Sequence, residues 1–318
     1  MNKENEKKNT LPVCGTSGGC TWTIDESGLL KICPTKGASG MLDNMAKSPF
    51  GNNKPSDDTI PWKNYREDIL SVIIEQGVIA NKRVDYMFGG CKNLISVNLS
   101  GLDTSNAADM NSMFFGCANI KAPDLSAFDT GNVIDMSRMF ESCSALEQLD
   151  LSMFDTKNVM IMSSMFSGCY GLKGVNLNGF CTSNVNSMSS MFKYCARMEN
   201  IDLSGFDTGK VKDMSNMFLS CANLKSLDLS AFDTSESWYM NDMFTGCLAR
   251  EYKLGAGFIF SLDEEDNKRQ TGLPALSGDA KRGYIFTGKW ISASGKLYAG
   301  DEIPDGAGIY TAQIRQKN

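Results

Sequence analysis

The sequence predicts an α/β repeat solenoid, a coil of stacked turns with a parallel β-sheet on one face and short helical or 3-10 turns elsewhere. The frame Met-Phe-x-x-Cys occurs seven times at intervals of 26 residues. A fixed period of about 20 to 50 residues is typical of stacked supersecondary units. An apolar frame of the form L-x-x-L-x-L follows most of the cysteines, and its last three residues alternate as a short strand does.

Each repeat also contains a corner and a second segment. The corner reads Phe-Asp-Thr, as in Phe128 to Thr130, and its Asp and Thr side chains are expected to bond nearby backbone N–H groups. The pattern Val-x-x-Met-x-x-Met-Phe-x-x-Cys then closes the turn. Its spacing favours a helical or 3-10 stripe, although its first part could equally be a second extended segment.

The composition excludes several classes of function. The net charge of −6 argues against nucleic acid and against an anionic membrane surface. Histidine is absent, which removes Ser-His-Asp and Cys-His nucleophiles and every zinc site that contains histidine. A carboxylate-only enzyme survives this exclusion. No stretch reaches the roughly 18 apolar residues of a membrane span, and the charged start, Met1 to Thr10, predicts no signal peptide.

Seven of the 11 cysteines occupy one repeat position and are predicted to be buried free thiols packed as small apolar side chains. This structural core ladder comprises Cys91, Cys117, Cys143, Cys169, Cys195, Cys221 and Cys247. Cys14, Cys20 and Cys33 lie outside the array. These three cysteines could also be structural thiols, two of them could form a disulfide, or all three could help to hold a metal.

The outward position of each predicted strand is the candidate ligand-binding face. It reads Asn98, Asp124, Asp150, Asn176, Asp202 and Asp228. Stacked turns would place these side chains in one row, about 4.8 Å apart. The row could recognise a basic ligand, or its four Asp residues could bind Ca²⁺, which favours several oxygen ligands. It could also be an ordinary solvated sheet face. No other metal or cofactor is predicted.

The repeat resembles the BspA-like leucine-rich repeat family of bacterial surface proteins. The resemblance rests on F-D-T-x-N-V-x-x-M-x-x-M-F-x-x-C-x-x-L-x-x-L-x-L, spelled by Phe128 to Leu151 and again by Phe154 to Leu177. It implies a right-handed, leucine-rich-repeat-like solenoid presented outside the cell and used for adhesion or protein binding. The segments Trp22 to Leu30, Pro61 to Arg66 and Thr287 to Trp290 also resemble regions that flank such repeats.

These patterns divide the chain into four parts. Trp22 to Ile24 and Leu29 to Ile32 flank a Gly-containing turn and predict a β-hairpin, which is assigned to a cap because a repeat stack exposes core at its ends. The predicted parts are a disordered tail (1–13), an N-terminal cap with a β-hairpin (14–83), a solenoid of about seven repeats (84–254) and a C-terminal cap or small β module (255–318).

The predicted function is non-catalytic binding or adhesion by a secreted or surface-exposed monomer, whose acidic face contacts a protein ligand of a host, a matrix or another bacterial surface. Two alternatives stay open. One is an intracellular structural scaffold, favoured by the free thiols and by the lack of a visible signal peptide or anchor. The other is a carboxylate-dependent glycosidase, which would need one singular pair of carboxylates.

Overall fold

A computed structural model describes residues 10–45, 59–260, 273–274, 279–281, 284–304 and 306–316. The described part is built almost entirely of short strands and turns. Its strands are β1 (Val13–Ser17), β2 (Cys20–Ile24), β3 (Leu29–Pro34), β4 (Gly40–Met41), β5 (Ser71–Ile74), β6 (Val78–Ile79), β7 (Ser96–Asn98), β8 (Leu102–Asp103), β9 (Gln148–Asp150), β10 (Gly174–Asn176), β11 (Leu227–Leu229), β12 (Glu251–Leu254), β13 (Asp279–Lys281), β14 (Tyr284–Ser292), β15 (Leu297–Tyr298) and β16 (Gly308–Gln316).

Successive 26-residue turns pair in parallel, with each residue opposite its equivalent in the next turn. Leu149 of β9 lies opposite Val175 of β10, for example. The predicted parallel sheet is interrupted at two places, because residues 122–124 and 200–202 form no strand. Pro123 accounts for the first interruption, since proline has no N–H to donate to a ladder.

The predicted helical or 3-10 turns are also wrong within the repeats. In the described part of the chain the 3-10 helices Lys63–Tyr65 and Gly300–Glu302 lie outside the repeats. The segment begins instead with a single-residue parallel bridge, such as Asp109 to Asp135, so the extended alternative holds for its first part. Continuous turns then lead to the cysteine.

Left-handed residues explain why these turns do not become a helix. Two positions in every turn have positive φ, as at Arg138 (59°) and Ser142 (63°). Every second N–H therefore bonds to the next turn, as from Phe140 to the carbonyl of Met165 (2.9 Å). The intervening N–H groups bond within the turn, as from Cys143 to the carbonyl of Phe140 (3.1 Å).

Methionine, phenylalanine, cysteine and leucine ladders fill the inside of the stack. The phenylalanines preceding the repeat cysteines stack ring on ring, with centroids 5.6 to 6.1 Å apart from Phe88 to Phe244. All seven are completely buried. Each turn gains aromatic and apolar contact only from its neighbours, so the core is continuous along the stack.

The sequence predicts local backbone bonds for both the Asp and the Thr of each corner, but the two side chains bond to different turns. The Asp bonds locally, as where Asp129 Oδ1 accepts the N–H of Gly131 (3.0 Å). The buried Thr joins neighbouring turns instead. Thr156 Oγ1 donates to the carbonyl of Cys181 (3.0 Å) and accepts the N–H of the same residue (2.8 Å).

Both ends of the stack carry antiparallel strands. β1, β2 and β3 form consecutive antiparallel pairs, and β3 continues in parallel into β5 and β7. At the other end β12 pairs in parallel with β11 and antiparallel with β16, which also pairs with β14. β1 begins at Val13, one residue before the predicted cap. Most of the predicted tail, residues 1–9, and the charged loop 263–270 lie outside the described residues.

Candidate binding face

The row of Asn and Asp side chains lies on the outer side of the turns. Asp150 is exposed between Leu149 and Leu151, which are 5% and 0% exposed, because alternate residues of a strand point to opposite sides. The register places Asp150 opposite Asn176 and Asp228 opposite Lys253. The structure thus brings Asp150 and Asn176 side by side and places Asp202 near Asp228. All six predicted residues keep the outer position of their turns, although Asp124 and Asp202 stand on the two turns without a strand.

Each member of the row also closes the turn that follows it. Its Oδ1 accepts the backbone N–H two residues later, at 2.9 to 3.2 Å. The donors are Ser100, Ser126, Ser152, Asn178, Ser204 and Ser230. The residue type is therefore explained in part by an Asx turn, which needs an acceptor at this position and no ligand.

These bonds keep the four carboxyl groups ionised. The hydroxyl and then the N–H of Ser126 hold the pKa of Asp124 below its ordinary value. In Asp150 and Asp202 the N–H and then the hydroxyl of the following Ser lower the pKa. Partial burial opposes the effect in Asp228, but bonds from Ser230 and Lys253 outweigh it, and its pKa is lowered too.

The row is not electrostatically uniform. Lys253 Nζ lies 3.0 Å from Asp228 Oδ2 and neutralises the C-terminal end of the row. Asn176 Nδ2 donates a hydrogen bond to Asp150 Oδ1 (2.9 Å), but this amide carries no charge to neutralise the carboxylate. The N–H and hydroxyl of Ser126 reach Oδ1 of Asp124, and the N–H of Ser152 and the amide of Asn176 reach Oδ1 of Asp150. Since an ionised carboxylate has about four acceptor sites, both keep acceptor capacity for a partner.

A depression of about 600 Å³ lies beside these two carboxylates. Apolar surface comes from Ala122 and Val175 above the buried Pro123 and Leu149, and polar groups come from Asp124, Asp150 and Asn176. It coincides with the turn where Pro123 interrupts the ladder. The neighbouring Met153 is 69% exposed and also lines the depression. A long side chain with an aliphatic stem and a cationic head matches this combination of surfaces.

Sequence reasoning placed the row but missed the depression. Two signals could have found it. Pro123 stands where the turns on either side carry Val97 and Leu149, and Met153 stands where other turns carry glycine or alanine.

The described residues do not assemble a cluster of three or more His, Cys, Asp or Glu able to hold a metal ion. The Ca²⁺ site at Asp124, Asp150, Asp202 and Asp228 stays a prediction. None of the helices in the described part of the chain has the length and apolar composition to cross a bilayer.

The repeat cysteines face inward and are all completely buried. Five of them, from Cys117 to Cys221, donate from Sγ to the carbonyl of the phenylalanine 29 residues earlier, at 3.1 to 3.2 Å. Burial raises the pKa of Cys91 to about 12 and raises those of the other repeat cysteines. They are therefore thiols at neutral pH, whereas metal binding and nucleophilic attack need the thiolate.

The three N-terminal cysteines are also free, as are all 11 in the chain. Cys20 is buried and donates from Sγ to the carbonyl of Gly40 (3.1 Å). Cys14 and Cys33 alternate to the other side of the sheet, where they lie opposite Thr23 and Thr21 of β2. Strand β2 separates them, so no pair among the three is placed to form a disulfide.

A family model described as "Mycoplasma protein of unknown function, DUF285" matches residues 82–200 and 171–256. Together these ranges span more than half of the chain. No curated protein matches the sequence.

Solved structures give weaker similarities. A leucine-rich cell surface protein from Faecalibacterium prausnitzii is 15% identical with a TM-score of 0.35, covering 94% of this chain and 66% of that one. A leucine-rich repeat protein from Eubacterium ventriosum is 11% identical with a TM-score of 0.22, covering 74% and 95%. TLR13 in complex with ssRNA13 is 15% identical with a TM-score of 0.29, covering 62% and 34%. With TM-scores below 0.5, these similarities establish neither a shared fold nor a shared function. This chain spans less than two thirds of the first of these proteins.

Proposed function

Since the chain belongs to the family described as "Mycoplasma protein of unknown function, DUF285", we propose a function from its own surface: non-catalytic binding of a protein partner. The observation that carries the proposal is the depression beside Asp124 and Asp150. A basic segment of the partner places a Lys or Arg stem against Met153 and Val175 and its cationic head near the two carboxylates.

The charges and the apolar surface act on different properties of this interaction. Complementary charge mainly raises the association rate and selects basic partners, and it weakens as salt increases. Contact with the apolar lining favours the bound state at any salt concentration. The proposed site therefore binds a basic segment with a salt-dependent affinity that retains a salt-independent part.

The ionisation of the two carboxylates supports binding over catalysis. A glycosidase needs one carboxyl group with a raised pKa to act as the general acid. The pKa values of Asp124 and Asp150 are both lowered by bonds from the serines that follow them. The pair therefore offers two acceptors and no proton donor at neutral pH.

We place this binding outside the cell, as an adhesion or surface-recognition function, on the strength of the BspA-like repeat pattern. An intracellular scaffold is the second candidate, because all 11 cysteines are free and disulfides are rare in reducing compartments. Fractionation of the native protein separates the two. Recovery in the culture medium or on the cell surface supports the first candidate, and recovery in the cytosol supports the second.

The test of binding uses hexalysine as a probe and a double variant, Asp124→Asn with Asp150→Asn. Asparagine keeps the Oδ1 acceptor that each Asx turn needs, so the change removes charge with little effect on the fold. We expect the affinity for hexalysine, measured by calorimetry at low salt, to fall by at least tenfold, since each lost charge contact contributes about 1 kcal/mol.

The matched control is Asp207→Asn with Asp233→Asn. It makes the same change in net charge at two corner residues whose Oδ1 also accepts a backbone N–H, from Gly209 and Ser235. We expect this control to bind hexalysine almost as the parent does. An equal loss of affinity in both double variants would show that net charge, and not the depression, holds the probe.

A further inference from the structure

A second group of acidic side chains lies where the N-terminal strands meet the first repeats, away from the candidate binding face. Asp85 and Asp109 share one guanidinium. Arg83 Nε lies 3.1 Å from Asp85 Oδ1, and Arg83 Nη2 lies 3.1 Å from Asp109 Oδ2. Asp135 follows on the next turn in the same ladder of bridges as Arg83 and Asp109.

The backbone holds Asp109 beside these charges. Its N–H bonds to the carbonyl of Lys82 (3.0 Å), and its carbonyl accepts the N–H of Val84 (3.0 Å). Its Oδ1 accepts the N–H of Asn111 (3.0 Å). The carboxyl group therefore has little freedom to move away from Asp85 and Asp135 when it becomes charged.

Among the described residues, the charges around Asp109 do not balance. The side chains of Arg83, Asp85 and Asp109 are 25%, 6% and 19% exposed, so water screens them poorly. Burial, followed by repulsion from Asp85 and Asp135, raises the pKa of Asp109 to about 7, although the N–H of Asn111 and the charge of Arg83 oppose the rise.

We propose that this cluster is a pH-sensitive device that tightens the junction between the N-terminal strands and the repeats as the medium becomes mildly acidic. At pH values above about 7, Asp109 is charged and repels Asp85 and Asp135 across the turns. Protonation removes that repulsion, while the backbone bonds of Asp109 to Lys82 and Val84 stay in place.

The direction of the effect follows from proton binding. The folded chain holds a proton on Asp109 up to about pH 7, whereas an unfolded Asp releases its proton near pH 3.9. The folded state therefore binds more protons between these values, and stability falls as pH rises through this window. Well above pH 7 the repulsion between Asp109 and its acidic neighbours lowers stability by its full amount, and lowering the pH removes this loss.

The same chain supplies a matched control at Asp213. This residue occupies the equivalent position four turns later and makes the same kind of turn, with Oδ1 accepting the N–H of Ser215 (2.9 Å). Its neighbours in the ladder are Ser187 and Tyr239, so it lacks the flanking Asp and Arg of the cluster.

The test measures hydrogen exchange of the amides of Val84 and Met110, which bond to the carbonyls of Asp109 and Asp135. After correction for the intrinsic pH dependence of exchange, we expect protection in the parent to rise at least tenfold from pH 8 to pH 5. Asp109→Asn should abolish this rise, and Asp213→Asn should preserve it. Flat protection in the parent, a response retained in Asp109→Asn, or a response lost in Asp213→Asn would overturn the proposal.

A direct titration keeps the proposal testable if Asp109→Asn folds poorly. The side-chain carboxyl carbon of Asp109, followed by NMR in the parent, should titrate at least one pH unit above the ordinary Asp value near 3.9. Asp85→Asn should lower this midpoint, because it removes the stronger of the two repelling carboxylates. A midpoint at the ordinary value, or one unmoved by Asp85→Asn, would contradict the proposal.

Discussion

The threonine at each corner shows how single polar side chains hold the turns together. Thr156 is 1% exposed and makes two hydrogen bonds to the backbone of Cys181 on the next turn. Equivalent bonds occur at Thr104, Thr182, Thr208 and Thr234. The side chain thus satisfies an N–H and a carbonyl where the corner departs from the ladder pattern.

Thr156→Val should destabilise the chain by about 2 kcal/mol, because valine fills the same space but leaves the N–H and carbonyl of Cys181 without their partner. Denaturant unfolding gives the free energy directly. Thr245→Val, at an exposed threonine, is the control and should change stability by less than about 0.5 kcal/mol. Equal effects of the two substitutions would show that the bonds between turns contribute little.

The place of a single residue can be predicted from the sequence when its side chain has one favourable environment. The Met, Phe and Cys positions have no polar partner outside the coil, and their predicted place is inside it. Asp129 and Thr130 could both bond locally, and nothing in their sequence tells that Thr130 reaches the carbonyl of Asp155 on the next turn. The pairing of the Arg83 guanidinium with both Asp85 and Asp109 likewise depends on turns that become neighbours only in the fold.

The backbone conformation of the turn segment in each repeat could not be predicted from the residues of that segment. Left-handed positions are most readily recognised by glycine. Here one of the two carries Tyr86, Ser112, Arg138, Ser164, Ser190, Asn216 and Asp242 in successive turns, with φ between 55° and 60°. The Met-Phe-x-x-Cys spacing fits a helix, but bonds to the neighbouring turn hold these residues in the left-handed region.

The interruption of the sheet at residues 122–124 has a cause that can be recognised in the sequence, Pro123. Replacing this proline tests the role of the depression. Pro123→Val copies Val175 of another turn and supplies the missing N–H. We expect the sheet to continue through residues 122–124, which slows exchange of nearby strand amides. Hexalysine should bind about fivefold more weakly, a change of about 1 kcal/mol, because the apolar lining is partly closed.

Pro304→Val, a proline far along the chain from the depression, is the control and should leave hexalysine binding unchanged. Tighter or unchanged binding by Pro123→Val, with exchange at Leu149 slowed as expected, would show that the interruption does not create the binding surface.

At the scale of the molecule, a continuous core displays rows of side chains at fixed spacing. The 26-residue period made the stacking and the row from Asn98 to Asp228 predictable. The structural differences along the row were not predictable from the period, because they arise where single turns deviate: Pro123 interrupts the sheet, Asn176 bonds to Asp150, and Lys253 neutralises Asp228.

The most direct test of the central claim is to map where hexalysine binds on the intact chain by backbone NMR. We predict chemical-shift changes concentrated at residues 122–126, 148–153 and 174–176, which line or flank the depression. The corner residues from Asp103 to Asp233 should change little. Shifts spread evenly over both acidic rows, or no saturable shifts around Asp124 and Asp150, would contradict the account.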